Sequence, residues 1–455
     1  MSDEVLETNK VRTWRKYPCY QTINLDWLDL APRHWTVKRL KWSITSCQNG
    51  IWGEDPTGNE DDVGCVRVAD FDRQRFVLGE TVELTRRSVP KEKQVGRLLT
   101  RGELLLEKSG GGDNQPVGAV VLFDSDAVAV CSNFVAKVGV AEGYCGSYLR
   151  YLHAYLYANR VNTRPMKQAT GIQNLDSGQY FDEKVAFPSL VEQRAIAAFL
   201  DRETARIDAL IAKKQRLIEL LEEKRQAVIS HAVTRGLNPS TKLISSGSSV
   251  IGSVPSHWRR VRVKQLFQFC KRQNFPDEIV LSVYREFGVI EKSTRDDNHN
   301  KTPTDLSSYQ LVMPGDLVIN KMKAWQGSLG VSEIRGITSP DYVVYSPKHS
   351  EHLPYLHNLL RSRQLASYYS TISNGIRTDQ WRLEPEKFEQ SILFLPPHDE
   401  QIAIASFISK SLESGKKVQE KISEGVEKLK DYRFALISTA VTGQIDVREE
   451  VQLED

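Results

Sequence analysis

Apolar and polar positions along the chain alternate in two distinct ways. From Val191 to Thr234 no proline interrupts a run rich in Ala, Leu, Glu, Lys, Gln and Arg, the composition of one long helix. At 1.5 Å per residue such a helix spans roughly 65 Å. Its Leu200, Ile207, Leu210, Leu217, Leu221 and Val228 recur at sums of threes and fours, a seam of coiled-coil type that needs a partner helix. Val418, Ile422, Val426, Leu429 and Leu436 offer similar spacing, so the partner is expected within the same chain. Gly415 and Gly425 each weaken that second helix by ~1 kcal/mol relative to alanine, and its middle is expected to bend or fray.

Elsewhere the apolar positions come in short runs bounded by turn residues. Residues 119–123 and 127–130 read as strands, as do 316–320 and 341–345. Gly102-Glu103-Leu104-Leu105 and Gly315-Asp316-Leu317-Val318 are turn-to-strand signals. Thr170-Gly171-Ile172 and Asn374-Gly375-Ile376 place a glycine turn before a last strand. Both regions therefore read as mixed α/β domains that share a frame, although their sequences hardly resemble one another.

An internal repeat organises these parts. Pro188…Glu192-Gln193-x-Ala195-Ile196-Ala197-x-Phe199 recurs as Pro396…Glu400-Gln401-x-Ala403-Ile404-Ala405-x-Phe407, a constant offset of 208. The same offset carries Ala227-x-Ile229-Ser230-x-Ala232-Val233-Thr234 onto Ala435-x-Ile437-Ser438-x-Ala440-Val441-Thr442. Between these blocks little matches beyond Lys213/Lys421, Glu219/Glu427 and Leu221/Leu429. Many apolar sequences satisfy a helix seam, so identity at the ends suggests that each end makes the same contact twice; uneven divergence is the plainer alternative. Each variable domain has its own lead-in, Ala31-Pro32-Arg33-His34-Trp35 and Val254-Pro255-Ser256-His257-Trp258. The expected segments are an N-terminal stretch (1–30), a first variable domain (31–187), a helical spacer (188–236), a Ser/Gly-rich linker (237–254), a second variable domain (255–395), a second spacer (396–442) and a tail (443–455).

Composition narrows the class without naming a function. A chain of 455 residues suits two or three domains, and 40% hydrophobic with 26% charged residues is a globular balance. No apolar run approaches the ~18–20 residues of a membrane span, and the first residues lack a signal-peptide core, so a soluble, cytoplasmic protein is expected. Cys19, Cys47, Cys65, Cys131, Cys145 and Cys270 have no zinc-finger spacing and read as reduced, mostly buried thiols. The net charge of +3 neither demands nor forbids nucleic acid, because a local basic surface can sit inside a near-neutral total. Two domains with a shared frame and different surfaces, held on helical spacers, suit a reader of two different half-sites along a duplex.

The repeated helix starts, the Pro-x-His-Trp lead-ins and the Ala-Val-Thr endings followed by glycine, taken in their order, resemble the specificity subunit of Type I restriction–modification systems. Residues 281–290, 315–327 and Ser339-Pro340 are also similar to one class of that family's target-recognition domains. The resemblance covers nearly the whole chain, with the first variable domain least typical. It implies an α+β protein in which two mixed α/β target-recognition domains are separated by two long helices packed as an antiparallel coiled coil with a pseudo-twofold repeat. It further implies a non-catalytic DNA-recognition subunit whose two domains each read one half of a bipartite, asymmetric double-stranded target. The implied partners are two modification subunits that methylate adenine at N6 and restriction subunits that translocate and cut DNA, with no membrane. S-adenosylmethionine, ATP and magnesium would sit on those partners and no cofactor on this chain. The matched helix ends, Glu192, Gln193, Ile196 and Phe199 with Glu400, Gln401, Ile404 and Phe407, would then be docking surfaces for the modification subunits.

Signals of chemistry in the chain itself are negative. There is no Gly-x-x-x-x-Gly-Lys-Ser/Thr phosphate loop, no Gly-x-Gly-x-x-Gly turn and no Asp/Asn-Pro-Pro-Tyr/Phe stretch. His349, His352 and His357 do not match a zincin helix and read as ordinary surface histidines. Asp182-Glu183-Lys184 and Glu222-Glu223-Lys224 superficially fit a nuclease, but neither recurs in the other half and solvated charge is the better reading. For DNA contact the strongest stretch is 320–327, where Lys321 and Lys323 suit phosphates and Gln326 a base edge; Trp325 reads as a core anchor. Arg377, Asp379 and Gln380 lie near the last glycine turn, with Gln173 and Asn174 as their counterparts, and Lys108, Asn114, Arg164 and Lys167 occupy further loops of the first domain. His34-Trp35 and His257-Trp258 recur where specificity should differ, so structural anchoring is favoured for them. The rival readings are a nuclease with tethered recognition domains and a coiled-coil scaffold without a DNA role.

Overall fold

The computed structural model describes residues 14–79, 83–112, 114–169, 172–295, 302–375 and 381–450. The chain forms two compact units, one built from residues up to Ala212 together with those from Val426 onward, the other from Lys213–Gly425. The first long helix runs Leu190–Arg235 and the second His398–Val441. Each unit therefore holds the first half of one helix and the last half of the other, the arrangement expected of helices packed antiparallel.

Local chemistry sets the helix ends. The hydroxyl of Ser189 accepts the Glu192 amide at 3.3 Å, capping the first helix. Gly236, at φ +76°, closes that helix by donating to the Ala232 carbonyl, and Gly443, at φ +71°, donates to Ala440 after the second. The second helix is continuous through Gly415 and Gly425, so the expected fraying is absent. The ion pair Glu413–Lys417 straddles Gly415 and Lys416–Glu420 follows it, and each adds a few tenths of a kcal/mol. The seam is also less regular than expected: Leu200, Ile207, Val426 and Leu436 are buried, whereas Leu210, Leu217 and Val418 are largely exposed.

In the first unit the central sheet orders Ile44–Asn49, Val135–Val140, Leu104–Glu107 and Val120–Leu122, extended by two short strands at Val77–Leu78 and Phe71–Asp72. In the second unit Phe267–Cys270, Tyr342–Pro347, Leu317–Asn320 and Leu329–Val331 stand in the same order, with antiparallel neighbours throughout. The glycine before the central strand, Gly102 or Gly315, has φ +93° in both, a conformation that disfavours any side chain. The shared frame expected from the turn-to-strand signals is thus present. Tyr148, Leu152 and Phe181 of the first domain join Ile196, Phe199 and Leu200 of the long helix in one core. Tyr355, Leu359 and Phe388 join Ile404, Ile408, Ala232 and Val233 in the second.

Candidate nucleic-acid interface

Each variable domain is closed at its base by the same neck. Thr36–Arg39 pairs antiparallel with Lys184–Phe187, Arg39 opposite Lys184. Arg259–Arg262 pairs with Ile392–Leu395, Arg262 opposite Ile392. Below the first neck the buried Glu192 accepts from Trp35 Nε1 at 3.0 Å and the Tyr17 hydroxyl at 2.6 Å, and meets His34 Nε2 at 2.9 Å. Burial, then the bond to Glu192, pushes the Tyr17 hydroxyl well above its ordinary range, so it stays protonated and donates. Below the second neck Glu400 accepts from Trp258 Nε1 at 3.3 Å and meets His257 Nε2 at 2.8 Å.

The glutamine beside each glutamate repeats as faithfully. Gln193 donates to the Pro188 carbonyl and accepts the Cys145 amide, which precedes the helix Gly146–Ala158. Gln401 donates to the Pro396 carbonyl and accepts the His352 amide, which precedes the helix Leu353–Leu360. The Glu-Gln pair thus ties the lead-in, the last strand and an internal helix of each domain to its long helix. The contact made twice lies inside the chain. Glu192, Gln193, Ile196, Phe199, Gln401 and Ile404 are buried and Glu400 is half-buried, so of the expected docking residues only Phe407 is an exposed surface. His34-Trp35 and His257-Trp258 are anchors, as expected.

Above the neck three of the expected readers of the first domain, Lys167, Gln173 and Asn174, lie on a three-stranded ribbon of Ser109–Gly110, Ile172–Leu175 and Met166–Ala169. Lys167 and Asn174 face each other across it, and Lys108 adjoins it with its ammonium on Asn49 at 2.8 Å. Lys167 is paired with Asp176 at 2.9 Å and Arg164 with Asp26 at 3.0 Å, while Asn114 is exposed. Gln173 does not fit a reader's place: it is 3% exposed, and its carbonyl oxygen accepts the Val117 amide, holding the loop above it.

In the second domain Lys323 and Gln326 are exposed and Lys321 partly so, on a tight turn closed by Gly327 at φ +90°. Trp325 is partly buried, donates to the Met322 carbonyl at 3.1 Å and meets Trp381 edge-on, which supports its reading as an anchor. Arg377, Asp379 and Gln380 lie outside the described residues.

Two surface features were given no contact role in the sequence, although the first lies in the stretch 281–290 that carries part of the resemblance. The hairpin tip between Leu281–Tyr284 and Gly288–Glu291 presents Arg285, Glu286 and Phe287 to solvent. Arg361 braces it, donating Nη2 to the Arg285 carbonyl and Nη1 to His357 Nε2, both at 2.6 Å. Burial holds the His357 pKa down at about 4, so the neutral ring accepts at Nε2 and donates from Nδ1 to the Val331 carbonyl. His349, His352 and His357 are accordingly partly buried structural groups, not surface histidines. In the first domain Arg87 stacks on the half-exposed Trp52 at 4.6 Å and donates to the Trp52 and Gly53 carbonyls. No spacing rule links these partners along the chain.

The remaining polar clusters are ion pairs. Asp182 is held by Arg39 and Lys41, and Glu222 by Arg225. Glu107 and Asp316, both buried, pair with Arg73 and Arg272. Among the described residues no three His, Cys, Asp or Glu side chains converge as a metal site, and no helix is long and apolar enough to cross a membrane. Cys65 and Cys131 are buried, Cys47, Cys145 and Cys270 partly so and Cys19 exposed, all as free thiols.

No family model matches the chain. Among curated proteins it is similar to the Type I restriction enzyme EcoDI specificity subunit of Escherichia coli, 18% identical over 353 residues, covering 71% of this chain and 79% of that protein. It is likewise similar to the MjaVIII specificity subunit of Methanocaldococcus jannaschii, 25% identical over 320 residues, 66% of this chain and 70% of that one. Among solved structures, a chain from work on complex assembly and conformational transition of the type I R-M system matches with TM-score 0.64 at 15% identity, over 91% of this chain and 99% of that one. The HsdS subunit of Thermoanaerobacter tengcongensis matches with TM-score 0.50 at 16% identity, over 91% and 98%. The resemblance first carried by the repeated motifs therefore extends to sequence and fold over most of the chain.

Proposed function

We propose that this chain, similar to the specificity subunits of Type I restriction–modification systems, is the sequence-reading subunit of such a complex and performs no chemistry itself. The observation that carries this reading is the repeated neck: two domains of the same strand order and unlike surfaces are attached to two long helices by one set of hydrogen bonds used twice. A protein that reads one short sequence twice would repeat its surfaces as well as its necks. Here the attachment and the strand order repeat and the surfaces do not, which suits an asymmetric, bipartite target.

Phosphate contacts from lysine and arginine supply affinity and orientation, while side chains above each neck read base edges. The polar ribbon of Lys167 and Asn174 serves the first domain. The turn of Lys321, Lys323 and Gln326 serves the second, with the braced tip at Arg285 beside it in this reading. S-adenosylmethionine, ATP and magnesium belong to modification and restriction subunits that bind this chain.

The test is selection of duplexes from a random pool by the purified full-length chain, followed by sequencing. Two different short motifs at a fixed gap are expected. Metal-dependent cleavage of the pool by the chain alone would favour the nuclease, and enrichment of no motif, with or without a modification subunit, would favour the scaffold.

A further inference from the structure

The two copies of the helix start differ sharply in how they cover their shared phenylalanine. Phe199 of the first copy is fully buried. Trp14 meets its ring edge-on, with centroids 4.7 Å apart, and the Arg202 guanidinium lies 5.5 Å from the same ring. Arg202 also donates to the Glu450 carbonyl at 2.8 Å. An aromatic edge and an oxygen acceptor, both supplied by the chain itself, thus cover this phenylalanine–cation pair.

In the second copy the same offset places Phe407 and Lys410 together, but Phe407 is 44% exposed. Both line an open groove of about 470 Å³ whose apolar floor is Leu221 and Val228 of the first long helix and Val418 of the second. Lys224, Arg225 and Lys416 also line it; Glu222, the one carboxylate of the lining, is paired with Arg225 at 3.2 Å, and Glu420 outside it with Lys416 at 3.8 Å, which leaves Lys224 and Lys410 as the excess positive charge. The groove is therefore concave, apolar at its base and positive at its rim.

We infer that this groove docks an acidic protein segment anchored by one aromatic side chain, supplied by a partner subunit. The first copy shows the binding mode: a ring edge on the phenylalanine and an oxygen on the neighbouring cation. The rim selects for negative charge, and the apolar floor takes a buried anchor, which a phosphate backbone lacks. One helix start is closed by the chain's own residues and the other is open, so the segment binds once per chain. This inference goes beyond DNA reading, and the source of the segment in a partner subunit rests on the proposed place of this chain in a complex.

The experiment pans a phage library of random short peptides against the full-length chain, with the Phe407→Ala chain as counter-target. Enriched peptides should carry Trp, Phe or Tyr flanked by Asp or Glu. Titrated by calorimetry, they should bind once per chain and lose at least about tenfold in affinity on Phe407→Ala, and several-fold on Lys410→Gln. Both side chains are exposed, so folding should be retained, and a thermal melt of each variant checks this. Enrichment of no peptide, or of peptides that bind both chains equally, overturns the inference. So does a result in which the two substitutions spare peptide binding and weaken the affinity for non-specific duplex DNA.

Discussion

Glu192 and Glu400 occupy equivalent positions but carry unequal loads. The first is buried and accepts from Trp35 and Tyr17 with His34 alongside; the second is half-buried and has a longer bond from Trp258. Removing a buried acceptor strands every donor aimed at it. Glu192→Ala should therefore lower unfolding free energy by about 3 kcal/mol and Glu400→Ala by about 1 kcal/mol, read from urea titrations of each chain. Equal losses would mean that the Tyr17 bond adds nothing. The recurrence of Glu-Gln and of His-Trp was plain in the sequence, but not that one binds the other. Trp35 and Glu192 are 157 positions apart, and no periodicity reaches across a folded domain. For the same reason Gln173 looked like a reader: a polar residue near a glycine turn gives no sign of which face of its strand is buried.

At the scale of elements, both long helices and the existence of a shared frame were legible, because period and turn chemistry are local; the order of strands within that frame was not. The continuity of the second helix was not legible, because glycine's cost was weighed without the surrounding ion pairs. An added Cβ at Gly415 meets nothing within 4 Å, whereas at Gly425 it approaches the Lys214 ammonium at 3.2 Å. Gly415→Ala should therefore stabilise the chain by up to ~1 kcal/mol, and Gly425→Ala by less, since Lys214 must shift. Thermal melts of the two variants check the order. A loss of stability at Gly415 would show that the helix needs its glycine there.

The whole molecule should be sensitive to acid through both units. His153, fully buried with Nδ1 2.7 Å from the Tyr180 hydroxyl, has its pKa held down at about 4 by desolvation, as does His357 in the other unit. The unfolded chain takes up these protons near pH 6.5. Between that pH and about 4 the unfolded state binds more protons, so stability present above pH 6.5 is lost as pH falls. For His153 the loss reaches on the order of 3 kcal/mol at the acid end. Calorimetry from pH 7 to 4.5 should show a falling melting temperature, with a shallower slope in His153→Gln. A melting temperature independent of pH would contradict burial of the neutral rings. Nothing in the sequence foretold this, because three of the histidines looked like surface residues and a lone His153 carries no motif.

The division into units also bears on how the protein is made. Residues Lys213–Gly425 are one uninterrupted stretch, while the first unit waits for residues from Val426 onward. A ribosome delivers the chain in order at about 5–20 residues per second. The unit begun first is therefore completed last, after a delay of roughly ten to forty seconds. Through that interval Ile196, Leu200 and Ile207 lack Leu436, Ile437 and Ala440, with which they later share a core. The nascent chain thus carries an uncovered apolar stripe on one finished helix while its second unit closes, and that stripe is where a chaperone would hold it.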